Sequence, residues 1–266
     1  MDDKWKGRLP NWYEDLYNYD VVITNDIDSL MSFYFIQKQF LFPQIAGFYN
    51  FNFYYHATDI KTDKKKLFGV DMDLIKGRTF GNHITYFFKN KDAINLNNTY
   101  NIEKYHEKYP FSTTMLILAI YDFDLEKFTD EQLKFILTID TAYKGYYTDN
   151  DYFKGIYTSW LDRLGFRFLE DRILKRMDSE NFKKLEKEYN IYGTVEVIKN
   201  KLYTNINLSK ISLLFGDAVE LPQHKFEMAN TYNYITIDPM QDVIPDKENI
   251  ISMAWIFKDM LKMTVK

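Results

Sequence analysis

The stretch Val21-Val-Ile-Thr-Asn-Asp-Ile-Asp-Ser-Leu30, "VVITNDIDSL", decides the fold. A continuous run of β-branched residues reads as a buried strand that stops in a polar turn. From Ser29 to Phe40, "SLMSFYFIQKQF", apolar residues recur at helical spacing. Strand, turn and helix in this order open an α/β sheet. The turn carries two aspartates spaced two apart, Asp26 and Asp28. Aspartates are common in turns because they hydrogen-bond their own backbone. Two carboxylates held at a strand's carboxyl end are also suited to gripping a metal ion.

Working outward, residues 1–20 read as an aromatic-rich lead-in, and "IAGFYNFNFYYH" (45–56) as a second strand region rich in aromatics. "KKKLFGVDMDL" carries a third strand, again ending in aspartates, Asp71 and Asp73; "GRTFGNHITYFF" (77–88) reads as a turn and a short strand. "FSTTMLILAIYDF" (111–123) places hydroxyls before an apolar helical run. "FTDEQLKFILTID" (128–140) opens with Thr129 and has Gln132 three residues on, the capping-box pattern. After a polar loop, "YKGYYTDNDYFKG" (143–155), residues 156–200 read as mainly helical, 208–237 as strands, and 248–263 as a closing amphipathic helix. The expected architecture is α/β: a parallel-type sheet with flanking helices over residues 1–150, and a smaller α+β domain over 151–266.

Composition excludes several classes. The chain has 266 residues, of which 46% are hydrophobic and 27% charged, enough for a packed core. With no cysteine, disulfides, thiolate metal sites and cysteine nucleophiles are ruled out. A net charge of −4 gives no global basic surface for nucleic acid. Aromatics reach 18%, with 22 Tyr and 22 Phe, and serve first as core and surface filler. No stretch approaches the roughly 18 apolar residues of a membrane span, and the opening residues are polar, so a cytoplasmic protein with no membrane partner is expected. Phosphate-cradling glycine loops and a G-x-S-x-G nucleophile elbow are both missing.

In a parallel sheet, neighbouring strands share a carboxyl edge, so acids distant in sequence converge there. Asp26, Asp28 and Asp71 end strands; His83 follows in "FGNHIT"; Asp140 closes "ILTID" at a helix C-terminus, where a carboxylate opposes the helix dipole by about 0.3–1 kcal/mol. Four carboxylates and one imidazole suit manganese or magnesium better than zinc. Arg78, between Asp71 and His83, is either a bidentate phosphate ligand or a surface arginine in a turn.

The order strand–D-x-D–helix, strand–Asp, a histidine in a short polar motif, a hydroxyl-rich helix start and a later Asp resembles the DHH phosphoesterase superfamily. The most specific stretch is "FSTTMLILAIYDFDLEKFTDEQLKFILTID", similar to the family's segment after its third motif. The resemblance covers roughly residues 18–150 and stops there. It implies that Asp26 and Asp28 are first-motif ligands, Asp71 the second-motif ligand, His83 the metal-binding histidine beside Asn82, and Asp140 the fourth-motif ligand, with Asp149 in "YTD" as its competitor. Asp28 and His83 would stand at the reacting centre, Arg78 and Asn82 against substrate, and the C-terminal domain would cap the site. The family's chemistry is hydrolysis of a phosphodiester or phosphomonoester with one or two Mn2+ (or Mg2+) ions. A nucleotide or short oligonucleotide is the implied substrate, in a monomer or a homo-oligomer. This chain has Asn82-His83 where the family carries Asp-His-His, so a non-catalytic relative that binds a nucleotide or protein partner is the alternative.

Overall fold

A computed structural model describes residues 1–60, 65–85 and 87–266. A short helix α1 (Asp3–Lys6) precedes strand β1 (Tyr19–Ile23), all five of whose residues are buried. Helix α2 (Ile27–Gln39) follows directly, with Asp26 as N-cap accepting a hydrogen bond from the Ser29 amide. Ten of its side chains from Ile27 to Ile36 are buried, so it is apolar nearly all round, as a helix enclosed by other elements must be.

The chain then lays down β2 (Ile45–Tyr49), β3 (Phe53–Ala57), β4 (Lys66–Val70), β5 (Thr79–Phe80) and β6 (Ala93–Ile94). With β9 (Phe226–Thr231) they form a seven-stranded sheet in the order β6-β5-β4-β1-β2-β3-β9. β1 pairs parallel with both β2 and β4, and β4, β5 and β6 continue in parallel. The pairs β2–β3 and β3–β9 are antiparallel. The strand region expected over 45–56 is thus a hairpin whose turn residue, Phe51, takes a positive φ of 72°. The strand order reverses at β1, between β2 and β4, which is where ligands sit in open α/β sheets.

Helices α3 (Thr113–Ile120), α4 (Asp130–Thr138), α5 (Asp151–Leu164), α6 (Phe168–Arg172) and α7 (Ser179–Tyr189) follow; α2 lies on β1 and β4, α3 packs on α2, and α4 packs on α7. Every residue of α3 is buried, and each of its large apolar side chains contributes about 1.5–3 kcal/mol. The capping box is formed on α4: Thr129 and Gln132 exchange side-chain to backbone hydrogen bonds. One hydrophobic core runs from Trp12 through Tyr157, Trp160 and Phe182 to Phe226, crossing residue 150 without a break.

The C-terminal part is sheet-rich. It contains a hairpin of β7 (Val195–Ile198) and β8 (Lys201–Thr204), a helix α8 (Leu208–Phe215), and a three-stranded antiparallel sheet of β10 (Asn233–Ile237), β12 (Met260–Val265) and β11 (Ile250–Phe257). Two expectations are corrected here. Residues 208–215, expected as strand, form α8, because Asn207 caps the Lys210 amide and Gly216 closes the end in the left-handed conformation. The amphipathic helix expected over 248–263 is instead the β11–β12 hairpin. Met253 faces Met263 and Trp255 faces Leu261 across it, and these four side chains form a second core with Ile75 and Ile84. β11 is fastened to the main sheet's loops by Met253 N to Asp73 O at 2.9 Å and by Ile75 N to Ile251 O at 3.2 Å. Among the described residues no helix is long and apolar enough to cross a membrane.

Candidate metal centre

Ile23 and Val70 are paired neighbours at the carboxyl ends of β1 and β4, so the residues that follow them leave the sheet side by side. Asp71 turns at once, with φ 57°, a left-handed conformation that aspartate tolerates better than most residues. Asp140 follows the end of α4 with φ 53°, and Thr141 beside it has φ 54°. A β-branched residue in that region is strained, and such strain collects at functional sites. The carboxylate oxygens of Asp28, Asp71 and Asp140 lie within 4.8 Å of one another.

Asp28 is fully buried and is held by the N-terminus of α3. Its Oδ2 accepts from the Thr113 amide at 2.6 Å; its Oδ1 accepts from the Thr114 amide at 2.7 Å and the Thr114 hydroxyl at 2.6 Å. The hydroxyl of Thr113 donates to Asp71 Oδ1 at 2.9 Å, and that of Thr24 to Asp71 Oδ2 at 3.3 Å. The Ser32 hydroxyl also lies 3.5 Å from Asp28 Oδ1, so that oxygen is fully engaged and the lone pair Asp28 keeps for a cation is on Oδ2, whereas Asp71, with one hydrogen bond to each oxygen, keeps one on both. The hydroxyl-rich start of α3 therefore does two jobs: Ser112 caps the helix, and the threonines orient the acids.

Electrostatics make the cluster costly as it stands. Burial, then the charge of Asp28, raises the Asp26 carboxyl to about 6. Burial and the surrounding acids, Asp26 first, push Asp71 well above the usual carboxylate range. Asp140 is exposed by area as a residue, yet its carboxyl is enclosed among the others; that desolvation, then Asp28 and Asp26, pushes it up in the same way. A bound cation reverses both causes at once.

His83 and Asp26 are not among the three residues whose ligand atoms converge; they meet Asp71 in an adjoining cavity. His83 lines this cavity of about 90 Å³ with Asp26, Asp71 and Asp73, and Phe51, Tyr234, Met253 and Lys262 also contribute to it. Its Nδ1 is 2.8 Å from Asp73 Oδ2, and its backbone amide donates to Asp73 Oδ1 at 3.2 Å. Asn95 ties the pair together, donating to Asp73 Oδ1 at 3.1 Å and to the His83 carbonyl at 2.8 Å. With Nδ1 engaged, Nε2 is the nitrogen left for a metal or a proton, the arrangement carboxylates commonly impose on ligating histidines.

Asn82 is buried and donates through Nδ2 to Asp140 Oδ2 at 2.8 Å, while its Oδ1 has no hydrogen-bond partner. An unpartnered buried amide oxygen is the kind of ligand a hard cation takes up, although the atom that meets Asp140 is Nδ2. Asp149 is exposed and is not among the three converging acids. Arg78 is not brought to the cluster. It precedes β5, and its guanidinium lies 5.1 Å over the ring of Tyr19 at the amino-terminal end of β1, away from the carboxyl edge where the acids sit. Sequence reasoning assigned no role to Asp73, whose D-x-D spacing with Asp71 was the available signal. It had no signal for Asn95, Lys262 or Tyr234, which arrive from distant segments.

Comparison with protein-family models, with curated proteins and with solved structures finds no match to this chain.

Proposed function

We propose that this chain is a divalent-metal-dependent phosphoesterase that hydrolyses a phosphodiester or phosphomonoester of a nucleotide or short oligonucleotide. The observation that carries the reading is the convergence of Asp28, Asp71 and Asp140, with ligand atoms within 4.8 Å of one another, beside a cavity that also holds Asp26 and His83. The donor set fits manganese or magnesium: carboxylate oxygens, an unpartnered amide oxygen on Asn82, and one imidazole nitrogen. The resemblance of residues 18–150 to the DHH phosphoesterases supports the same assignment.

Asp28, Asp71 and Asp140 would hold the ion, with Asp26 and His83 as further ligands. Bound there, a divalent ion lowers the pKa of a coordinated water and neutralises charge on phosphoryl oxygens. The chain's own residues do the rest. Thr24 and Thr113 fix the Asp71 carboxylate, the α3 amides fix Asp28, and Asn82 fixes Asp140, so the acids are oriented before any ligand arrives. Asp73 fixes the ring of His83, which leaves Nε2 available at the cavity to hold a ligand or move a proton. The roof of β10–β12 narrows the site and limits bulk water.

Calorimetric titration with Mn2+ at neutral pH tests this, followed by turnover of nitrophenyl phosphate esters and dinucleotides. Wild type is expected to bind Mn2+, and Asp140→Asn to bind it at least about 100-fold more weakly, more than the 10–100-fold that loss of an outer-shell partner costs. No Mn2+ or Mg2+ binding to the folded wild type overturns the reading. Binding without turnover of any ester assigns the chain to the non-catalytic alternative.

A further inference from the structure

We propose that Lys262 is the phosphate anchor of this site, and that the cavity it lines admits a terminal phosphoryl group in preference to an internal diester. The inference rests on the metal-dependent reading above and deepens it. The two sets of residues that line the cavity differ in chemistry. Asp26, Asp71, Asp73 and His83 line it from the loops that follow β1, β4 and β5; Tyr234, Ser252 and Lys262 line it from the C-terminal sheet, and among the described residues Lys262 is its one lysine or arginine. Metal-facing acids account for one side of a bound phosphate. A phosphoryl group has more oxygens than the metal side can hold, and the remaining ones face the roof.

Lys262 is built to meet them. It belongs to the middle strand of its sheet, pairing with Thr236 on one side and Ala254 on the other, so its backbone is fixed. Its Nζ lies 5.7 Å over the ring of Tyr234, which stacks on Phe51 with ring centroids 4.9 Å apart. That aromatic pair supports the lysine stem without neutralising its charge, and no carboxylate forms an ion pair with Lys262 among the described residues. A half-buried, unneutralised ammonium facing an acid-lined cavity, with an ordered platform under it, is placed for an anion that meets both sets of residues.

Size makes the choice between ester classes. The cavity measures about 90 Å³, several times the roughly 10–15 Å³ that one enclosed water needs, whereas pockets that enclose a whole small-molecule ligand run from about 300 Å³. The space takes a phosphoryl group and its attacking water; the alcohol part must lie outside. A monoester has one such part to accommodate and an internal diester two. In the reaction, water forms a new P–O bond and the ester P–O bond breaks. One proton of that water passes to the departing alcohol, and phosphate remains.

The test uses the full chain with Mn2+, inorganic phosphate, p-nitrophenyl phosphate and bis-p-nitrophenyl phosphate, and the variants Lys262→Gln and Lys262→Arg. Lys262→Gln is expected to keep Mn2+ affinity within about threefold while weakening phosphate binding in the presence of Mn2+ by about 10–100-fold, the range for one charged hydrogen bond. Lys262→Arg, which keeps the charge and reports on folding, is expected to retain phosphate binding within about tenfold of wild type. The monoester should exceed the diester in kcat/KM by at least about tenfold. Unchanged phosphate affinity in a folded, Mn2+-binding Lys262→Gln overturns the anchor alone. A diester cleaved as well as the monoester overturns the size argument. Failure of wild type to bind Mn2+ overturns the underlying reading, and this inference with it.

Discussion

Asp28 and Asp71 stand in the same cluster but are held by opposite physics. Asp28 satisfies two buried amides and a hydroxyl at the start of α3. Replacing it by Ala orphans the two amides, while the Thr114 hydroxyl keeps the backbone carbonyl of residue 28 at 3.1 Å; each unmade buried bond costs about 1–3 kcal/mol, so Asp28→Ala is expected to lose about 2 kcal/mol or more of stability. Asp71 is surrounded by like charge and sits at a φ of 57°, which asparagine adopts readily. Asp71→Asn removes the repulsion, keeps the left-handed turn and still accepts from Thr113. The metal-free chain should gain about 1 kcal/mol, the common yield of relieving such a conflict, while losing Mn2+ binding. Urea denaturation at pH 7 with a chelator present checks both signs; equal destabilisation by the two changes would refute the distinction. The contrast also marks what the sequence disclosed at this scale. The order of Asp26, Asp28, Asp71 and Asp140 along a strand–helix alternation was readable because the sheet edge brings strand ends together. Asp73 holding His83, and Lys262 facing both, were not, because those contacts join segments that carry no local signature of one another.

Among the elements, sequence periodicity misread two, helix α8 and the β11–β12 hairpin, and the hairpin also contributes to the roof of the site. "ENIISMAWIFKDMLKM" contains good helix formers and a turn at Lys258-Asp259 without glycine, so local signals favour a helix. What overrides them is tertiary: β10 pairs along β12, and Trp255, Leu261, Met253 and Met263 close over Ile75 and Ile84. By contrast α2 and α4 were legible because their caps are local, Asp26 with Ser29 and Thr129 with Gln132. If the roof stands on this small second core, its largest member should govern it. Trp255 is 2% exposed, and its indole nitrogen has no hydrogen-bond partner, so removing the ring loses packing and no hydrogen bond. Trp255→Ala is expected to cost about 3–5 kcal/mol, with amide exchange accelerated in 250–265 more than in β1 or α3. Uniform acceleration across the chain would show that the hairpin and the main sheet unfold as one unit.

At the scale of the whole molecule, the acid cluster ties folding to pH with a definite sign and, on the proposed function, to metal as well. Asp26 is raised from 3.8 to about 6, and Asp71 and Asp140 are raised as well. Between its unfolded and folded values each such carboxyl holds a proton in the native state that it has lost in the unfolded chain. The native state then binds more protons, so stability falls as pH rises through that window. For Asp26 the window runs from about 4 to about 6 and is worth on the order of 3 kcal/mol. The surface carboxyls held low by cations, Asp59 by His224, Asp122 by Lys6 and Asp171 by Lys175, act in the opposite sense, but only below the ordinary carboxylate range. Metal-free protein should therefore lose stability between about pH 4 and about pH 6, the interval leading into the range where many proteins are near their maximum. Mn2+ needs the deprotonated acids, so its stabilisation grows over the same interval and reaches about 2.7 kcal/mol at 100 times its dissociation constant. Scanning calorimetry at several pH values, with chelator and with Mn2+, reads the two curves directly. They should converge at about pH 4 and diverge steadily to pH 7. Parallel curves would mean that the acids of β1, β4 and α4 do not share the ion, and that their proximity reflects packing alone.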